Sequence, residues 1–137
     1  MEIRSLGPGD GDAVQAASYL FDAPPEEAAT RRFLQAEGHH LLVAYEGDLP
    51  VGFVSGVEVT HPDKGTEMFL YELAVAEGFR RRGFGGALVA RLASLAEERG
   101  CYGMWVLTDG ENKPALATYA ASGGSAETGQ VVVVWTF

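Results

Sequence analysis

Met68-Phe69-Leu70-Tyr71-Glu72-Leu73-Ala74-Val75, the turn Arg80-Arg81-Arg82-Gly83-Phe84-Gly85-Gly86 and the run from Ala87 to Arg99 decide how this chain folds. The first eight residues are mostly apolar and predict a strand. Beyond the arginines, Leu88, Leu92 and Leu95 recur at helical spacing beside Val89 and Ala96, and Gly100 supplies a stop. A strand that feeds a glycine-rich turn directly into a helix aims the free N–H groups of the first helical turn outward, where the helix dipole also favours negative charge. Gly83, Gly85 and Gly86 leave room for a ligand to approach the backbone. Three of the ten basic residues stand consecutively in a chain of formal charge −9, a clustering that a bound anion explains. The segment reads as a phosphate site.

Two common phosphate motifs are excluded by detail. No Lys-Ser or Lys-Thr follows the glycines, so this is not a nucleoside-triphosphate loop, and Leu88 stands where a dinucleotide fingerprint needs its third glycine. What remains is Arg-x-x-Gly-x-Gly, from Arg80 to Gly85.

Outward from this segment, Glu2 to Leu6 predicts a short first strand, and Gly7-Pro8-Gly9-Asp10 a turn into a helix reaching about Phe21, capped by Asp10 or Asp12. Pro24-Pro25-Glu26-Glu27 starts a second helix that Gly38 closes. His40 to Tyr45 and Val51 to Val59 predict two antiparallel strands joined at Glu46-Gly47-Asp48. Thr60 to Thr66 reads as a polar loop of the kind that borders binding sites. Cys101 to Leu107 predicts a buried strand, Asn112 to Ala121 a short helix, and Val131 to Phe137 a terminal strand.

The length of 137 residues fits one domain, residues 1–137. No apolar run approaches the roughly 20 residues that span a bilayer, and Met1 to Arg4 does not open a targeting signal, so a cytoplasmic protein without a membrane partner is expected. One cysteine, Cys101, allows no internal disulfide and no cysteine-rich metal cluster, and three histidines offer a poor metal site. The acidic balance disfavours nucleic acid and favours a cationic substrate.

The arginine turn resembles the acetyl-coenzyme A signature of the GNAT family of N-acetyltransferases, Gln/Arg-x-x-Gly-x-Gly/Ala, with Arg80, Gly83 and Gly85 at the matching positions. Asn112, Ala115, Tyr119 and Gly123 keep the spacing of the family's second motif, Asn-x-x-Ala-x-x-x-Tyr-x-x-x-Gly. The order of elements is similar over nearly the whole chain, although Gly123-Gly124 replaces the usual Gly-Phe. The resemblance implies an α/β fold with a mixed, mostly antiparallel sheet of six to seven strands, flanked by about four helices and splayed between its fourth and fifth strands. It implies an acetyl-coenzyme A-dependent enzyme, with the pyrophosphate on the turn Arg81 to Gly86, phosphate contacts from Arg80, Arg81 and Arg82, and the pantetheine arm added alongside Leu73-Ala74-Val75. Asn112 is implied to meet the pantetheine or to cap its own helix.

Acetyl transfer from a thioester to an amine requires a neutral amine, alignment, and stabilisation of the developing oxyanion and departing thiolate. Glu72, a carboxylate in an otherwise apolar strand, is the candidate base or ammonium anchor. Tyr119 matches the family tyrosine that protonates the thiolate. Cys101 reads as a buried inert thiol, which leaves direct transfer in a ternary complex. His39, His40 and His61 have no spacing that demands a catalytic role, and Tyr71, Trp105 and Trp135 read as core or sheet-face residues. Asp22, Glu26, Glu27, Asp109 and Glu111 are candidates to recognise a cation.

Tyr71 to Val75 with the arginine turn, and the segment from Asp109, look most like the aminoglycoside 3-N-acetyltransferases, in which aspartate is usual at the position of Glu72. The expected partner is therefore a small cationic amine, an aminoglycoside among the candidates. A peptide or lysine acetyltransferase and a non-catalytic acyl-coenzyme A-binding module are the alternatives. The run Val131 to Val134 invites a homodimer through sheet edges.

Overall fold

Along the strand His39–Glu46 every residue from His40 to Tyr45 is buried, so both faces of this strand lie against other elements. A computed structural model, which describes residues 1–137, shows how the two faces are covered. Leu42 and Ala44 point to one side with Val54, Met68 and Leu70, and Leu41, Val43 and Tyr45 point to the other with Phe53. The strands are β1 (Glu2–Leu6), β2 (His39–Glu46), β3 (Leu49–His61), β4 (Gly65–Val75) and β5 (Met104–Val106). They form one sheet in the order β1-β2-β3-β4-β5, antiparallel throughout except for the parallel pair β4–β5.

The helices are α1 (Gly11–Ala16), α2 (Glu27–Gln35), α3 (Phe84–Glu98) and α4 (Lys113–Ala121), with 3₁₀ turns at Ser18–Leu20 and Glu77–Phe79. The predicted leucine stripe of α3 packs on one sheet face, where Leu88 and Leu92 are fully buried. Val14, Ala17 and Leu34 from the first two helical segments cover the other. The result is three layers with a core on each side of the sheet. Gly56 permits the close approach of β3 to α3 and β4: a Cβ there would lie 2.8 Å from Met68 Sδ and 2.9 Å from Leu92 Cδ1.

Five expectations are corrected. The sheet has five strands, not six to seven, because Val131–Phe137 pairs with no strand; residues 125–137 make no backbone hydrogen bond. A run of β-branched residues becomes a strand only where a neighbouring edge and a covered face receive it, and no edge of this chain meets it. The predicted strand Cys101 to Leu107 shrinks to β5, because β4 bends away beyond Leu70. The predicted loop Thr60–Thr66 is largely ladder, with His61 opposite Gly65 and Thr60 opposite Thr66, so only Pro62 to Lys64 turns. The first helix ends at Ala16 rather than Phe21 and passes into the 3₁₀ turn that seats Leu20 against the core. Its expected cap also differs, since Asp10 Oδ2 accepts the N–H of Gly7 at 2.7 Å and makes no bond to the helix.

Candidate active site

The register of β3 and β4 shifts at one point. Ser55 faces Glu72 and Gly56 faces Leu70, so Tyr71 is an extra residue without a partner, a β-bulge. The N–H of Glu72 donates to Ser55 Oγ at 3.2 Å, which fixes the strand just past the bulge. A bulge bends its strand, and β5 stays paired with β4 only over Met68 to Leu70. From Tyr71 to Val75 the β5-facing edge of β4 therefore has no strand beside it. The space between β4, Val106 to Thr108, α3 and α4 is a cleft of about 1250 Å³. Leu73, Ala74 and Val75 line it with an open backbone edge.

At the end of β4 the chain makes the arginine turn. Gly83 takes φ +87° as the N-cap of α3, a conformation that disfavours any side chain. Arg81 takes φ +62°, and non-glycine residues held there are strained and cluster at functional sites. The consequence is backbone orientation: the six consecutive N–H groups from Arg81 to Gly86 find no acceptor in the protein. Together with the N-terminus of a fifteen-residue helix they form a cradle for an anion. The three arginines divide their work. Arg80 Nε donates to the carbonyl of Val75 at 3.1 Å and ties the turn to the end of β4. Arg81 lines the cleft. Arg82 turns away to pair with Glu46 at 2.6 Å, its guanidinium 5.1 Å from the ring centroid of Phe79 and 5.5 Å from that of Phe84.

Two titratable groups expected to act meet in this cleft. Glu72 is half-buried, and burial first, then the nearby charge of Asp22, push its carboxyl above the ordinary carboxylate range. Tyr119 projects from α4 against the α3-side core, and burial raises its phenol above the usual value. At neutral pH this hydroxyl keeps its proton. Asn112 caps α4 by accepting the N–H of Ala115 at 3.2 Å, with Pro114 in the first turn. Asn112, Ala115 and Thr118 line the α4 wall of the cleft, and Gly85 sits where a Cβ would be 3.7 Å from Thr118 Cγ2.

Of the acids considered for a cation, Asp22 lines the cleft whereas Glu26, Glu27, Asp109 and Glu111 do not. Asp109 Oδ1 instead accepts the N–H of Glu111 at 2.8 Å. None of the histidines reaches the cleft. His40 is buried against Glu58 at 2.6 Å, and Arg99 closes on the same carboxylate; burial opposes the charge of Glu58, but these two partners outweigh it and hold its pKa low. His61 pairs with Asp63. Cys101 lies outside the cleft, packed against the α3-side core, and burial pushes its thiol up. Trp105 stacks on Phe69 at 4.3 Å on the sheet face, and Trp135 is exposed on the unpaired C-terminal segment. Sequence reasoning missed Tyr19, which lines the cleft and whose hydroxyl donates to the Pro50 carbonyl; Tyr71, read as a core or sheet-face residue, stands edge-on to Phe69 at 5.7 Å and also lines the cleft.

The family model for the acetyltransferase (GNAT) family matches residues 12–123. Among solved structures, the chain resembles an aminoglycoside acetyltransferase, meta-AAC0020, from an uncultured soil metagenomic sample, in complex with sisomicin. That likeness has a TM-score of 0.90 at 20% identity and covers 99% of this chain and 95% of the other. A second aminoglycoside acetyltransferase from such a sample, HMB0005, matches with a TM-score of 0.84 at 27% identity, over 98% of each chain. The ribosomal-protein-alanine N-acetyltransferase of Brucella melitensis biovar Abortus 2308 matches with a TM-score of 0.76 at 22% identity, over 98% of this chain and 100% of the other. No curated protein matches the chain by sequence.

Proposed function

From the premise that this chain belongs to the GNAT family, whose members are acetyl-coenzyme A-dependent N-acetyltransferases, we propose that its cleft acetylates a primary amine of a small cationic substrate of the aminoglycoside class, directly in a ternary complex. The observation that carries this reading is the convergence in one cleft of an anion cradle, an open strand edge and two titratable groups, Glu72 and Tyr119.

The donor set fits acetyl-coenzyme A, which supplies the acetyl group as an activated thioester. The N–H groups from Arg81 to Gly86, with the Arg81 side chain beside them, suit pyrophosphate oxygens, and the Leu73 to Val75 edge suits the amides of the pantetheine arm as an added strand. Arg82 pairs with Glu46 at the edge of the turn. Asn112 sets the start of α4, and Ala115 leaves that helix surface low beside the cleft.

Glu72 takes the proton of the substrate ammonium on its carboxylate, directly or through water. A carboxyl whose pKa is raised is a stronger base than an exposed one. Asp22 beside it supplies a second negative charge, so a substrate with more than one ammonium group is held at one amine while another is deprotonated. Tyr119 holds a proton at its phenol oxygen for the departing sulfur. With Cys101 outside the cleft and its thiol held protonated, no acyl-cysteine stage is needed. The likeness to aminoglycoside acetyltransferases supports the substrate class, and that to a ribosomal-protein-alanine acetyltransferase supports a peptide N-terminus as the second reading.

Release of the coenzyme A thiol, followed with gentamicin-type aminoglycosides, spermidine and an alanine-terminated peptide, tests this. Fastest turnover is expected with an aminoglycoside, and NMR of the product identifies the nitrogen, which the sequence resemblance predicts to be the 3-amine. Turnover with the peptide alone establishes the second reading. Coenzyme binding without turnover of any amine identifies a binding module.

A further inference from the structure

Behind Tyr119 lies a second, smaller space that acetyl transfer leaves unused. It is an apolar hollow of about 80 Å³, lined by Leu70, Val89, Met104, Val106 and Gly124 together with the tyrosine. Met104 and Val106 pair with Met68 and Leu70, so all four side chains stand on the α3 face of the sheet, and Tyr119 packs against them from α4. Gly124 occupies the position where phenylalanine is usual in the family pattern, and it brings no side chain to the hollow. Its N–H donates to the Tyr119 carbonyl at 2.9 Å, and a Cβ there would crowd that oxygen at 3.1 Å. The helix end thus closes tightly on Tyr119 and leaves the space beside the ring empty of side chain.

Val106 and Tyr119 line this hollow and the large cleft alike, so the two spaces share a wall. That wall stands where the acyl group of a bound thioester points. With pyrophosphate on the turn and pantetheine running from Val75 to Leu73, the sulfur comes level with Glu72 and Tyr119. Farther along β4, at Leu70, β5 rejoins the sheet through Val106 and the cleft ends. An acyl chain that continues past its carbonyl therefore meets Val106 and Tyr119, with an apolar hollow behind them. None of the residues that line the hollow carries a charge, which suits a hydrocarbon.

We propose that the hollow behind Tyr119 receives the tail of an acyl group longer than acetyl, so that propionyl- and butyryl-coenzyme A serve this chain as donors beside acetyl-coenzyme A. The inference rests on the coenzyme placement given under the proposed function. At about 30 Å³ for a group the size of a water molecule, the hollow has room for about two or three methylene groups. Butyryl has two more than acetyl, whereas octanoyl overfills the space. Each methylene buried should tighten binding by about fourfold. The transfer is the same for every chain length. The substrate nitrogen bonds to the acyl carbonyl carbon as the carbon–sulfur bond breaks. Of the two protons that the ammonium loses, Glu72 takes the first, and the second restores the phenol of Tyr119 after its own proton has gone to sulfur.

Calorimetry with acetyl-, propionyl-, butyryl- and octanoyl-coenzyme A, without any amine present, tests the tail site apart from turnover. Affinity should rise by about fourfold per carbon from acetyl to butyryl, about 15-fold in all, and gain nothing further at octanoyl. In protein with labelled methyl groups, butyryl-coenzyme A should shift the resonances of Leu70, Val89 and Met104, which acetyl-coenzyme A leaves in place. Ser122 lines the hollow from the exposed end of α4, and Ser122→Phe, which puts a ring into that space, should bring the affinities for butyryl and acetyl thioesters back to within a factor of two. Affinity that stays level or falls from acetyl to butyryl would overturn the proposal, as would a gain that moves no methyl of the hollow or survives Ser122→Phe. Failure of the proposed function has a different signature: thioesters bind and no amine is acylated, and the binding series still decides the tail site.

Discussion

Replacing Glu72 with glutamine keeps the size of the side chain and the backbone bond to Ser55 Oγ while removing the ability to accept a proton. A positioned general base contributes about 10²–10⁴ in rate, or about 2.7–5.4 kcal/mol of barrier. E72Q should therefore lower kcat by at least about a hundredfold, with little change in the affinity for acetyl-coenzyme A. The pH profile carries a further signature. Burial and Asp22 raise the carboxyl pKa, so the acid limb of kcat/KM for the native protein should lie above the ordinary glutamate value and vanish in E72Q. Asp22→Asn, which removes the second cause, should move that limb toward lower pH. Stability should change in the opposite sense from activity. A carboxyl whose folded pKa is raised favours folding when protonated, and that contribution is lost as pH rises through the folded pKa. Ionised Glu72 thus costs stability at neutral pH, so E72Q should melt higher than the native protein at pH 7, an advantage that disappears below the unfolded carboxyl pKa of about 4.3. Stopped-flow thiol release and thermal melts at pH 4 and pH 7 measure both effects. An unchanged kcat with a raised KM for the amine would refute the base role and leave Glu72 an ammonium anchor. An unchanged rate together with a persistent acid limb would remove it from the chemistry.

Tyr119→Phe keeps the ring that packs against the α3-side core and removes the hydroxyl. It should lower kcat by about 10²-fold or more while leaving coenzyme affinity within a factor of three, as read by single-turnover kinetics and calorimetry. Gly83→Ala forces a side chain into φ +87° and should cost about 1–2 kcal/mol of stability along with weaker coenzyme binding, whereas Gly86→Ala, where a Cβ meets open space, should leave stability within about 0.5 kcal/mol; urea denaturation separates them. Gly56→Ala places a Cβ against Met68 and Leu92 and should cost about 1–3 kcal/mol in the same assay, with no change in which amine is accepted.

The cofactor side of the cleft was legible in the sequence because local rules dictate it. The leucine spacing of α3, the glycine at its N-cap and the asparagine cap of α4 each act over three or four residues, and each appears where the residues require it. The β2–β3 hairpin, with its two-residue turn at Gly47 and Asp48, is equally local. What escaped depends on contacts distant in sequence. The bulge at Tyr71 arises from the register between β3 and β4, and no residue type signals it. The pairing of Arg82 with Glu46 joins residues 36 apart, and no local pattern signals it. Tyr19 and Asp22 reach the cleft only because the first helix gives way to a 3₁₀ turn after Ala17. The terminal valine run has the composition of a strand, but no edge of the sheet receives it.

The central claim is that the turn after β4 holds the pyrophosphate of coenzyme A while the open β4 edge receives the pantetheine. A titration of the isotope-labelled protein with coenzyme A, followed through backbone amide resonances, tests it most directly. The largest shifts should fall on the amides of Arg81 to Gly86, with smaller ones on Leu73 to Val75 and on the first turn of α4, and dephosphorylated pantetheine should reproduce only the latter two. Shifts centred anywhere else, with the six amides of the turn unmoved at saturation, would contradict it.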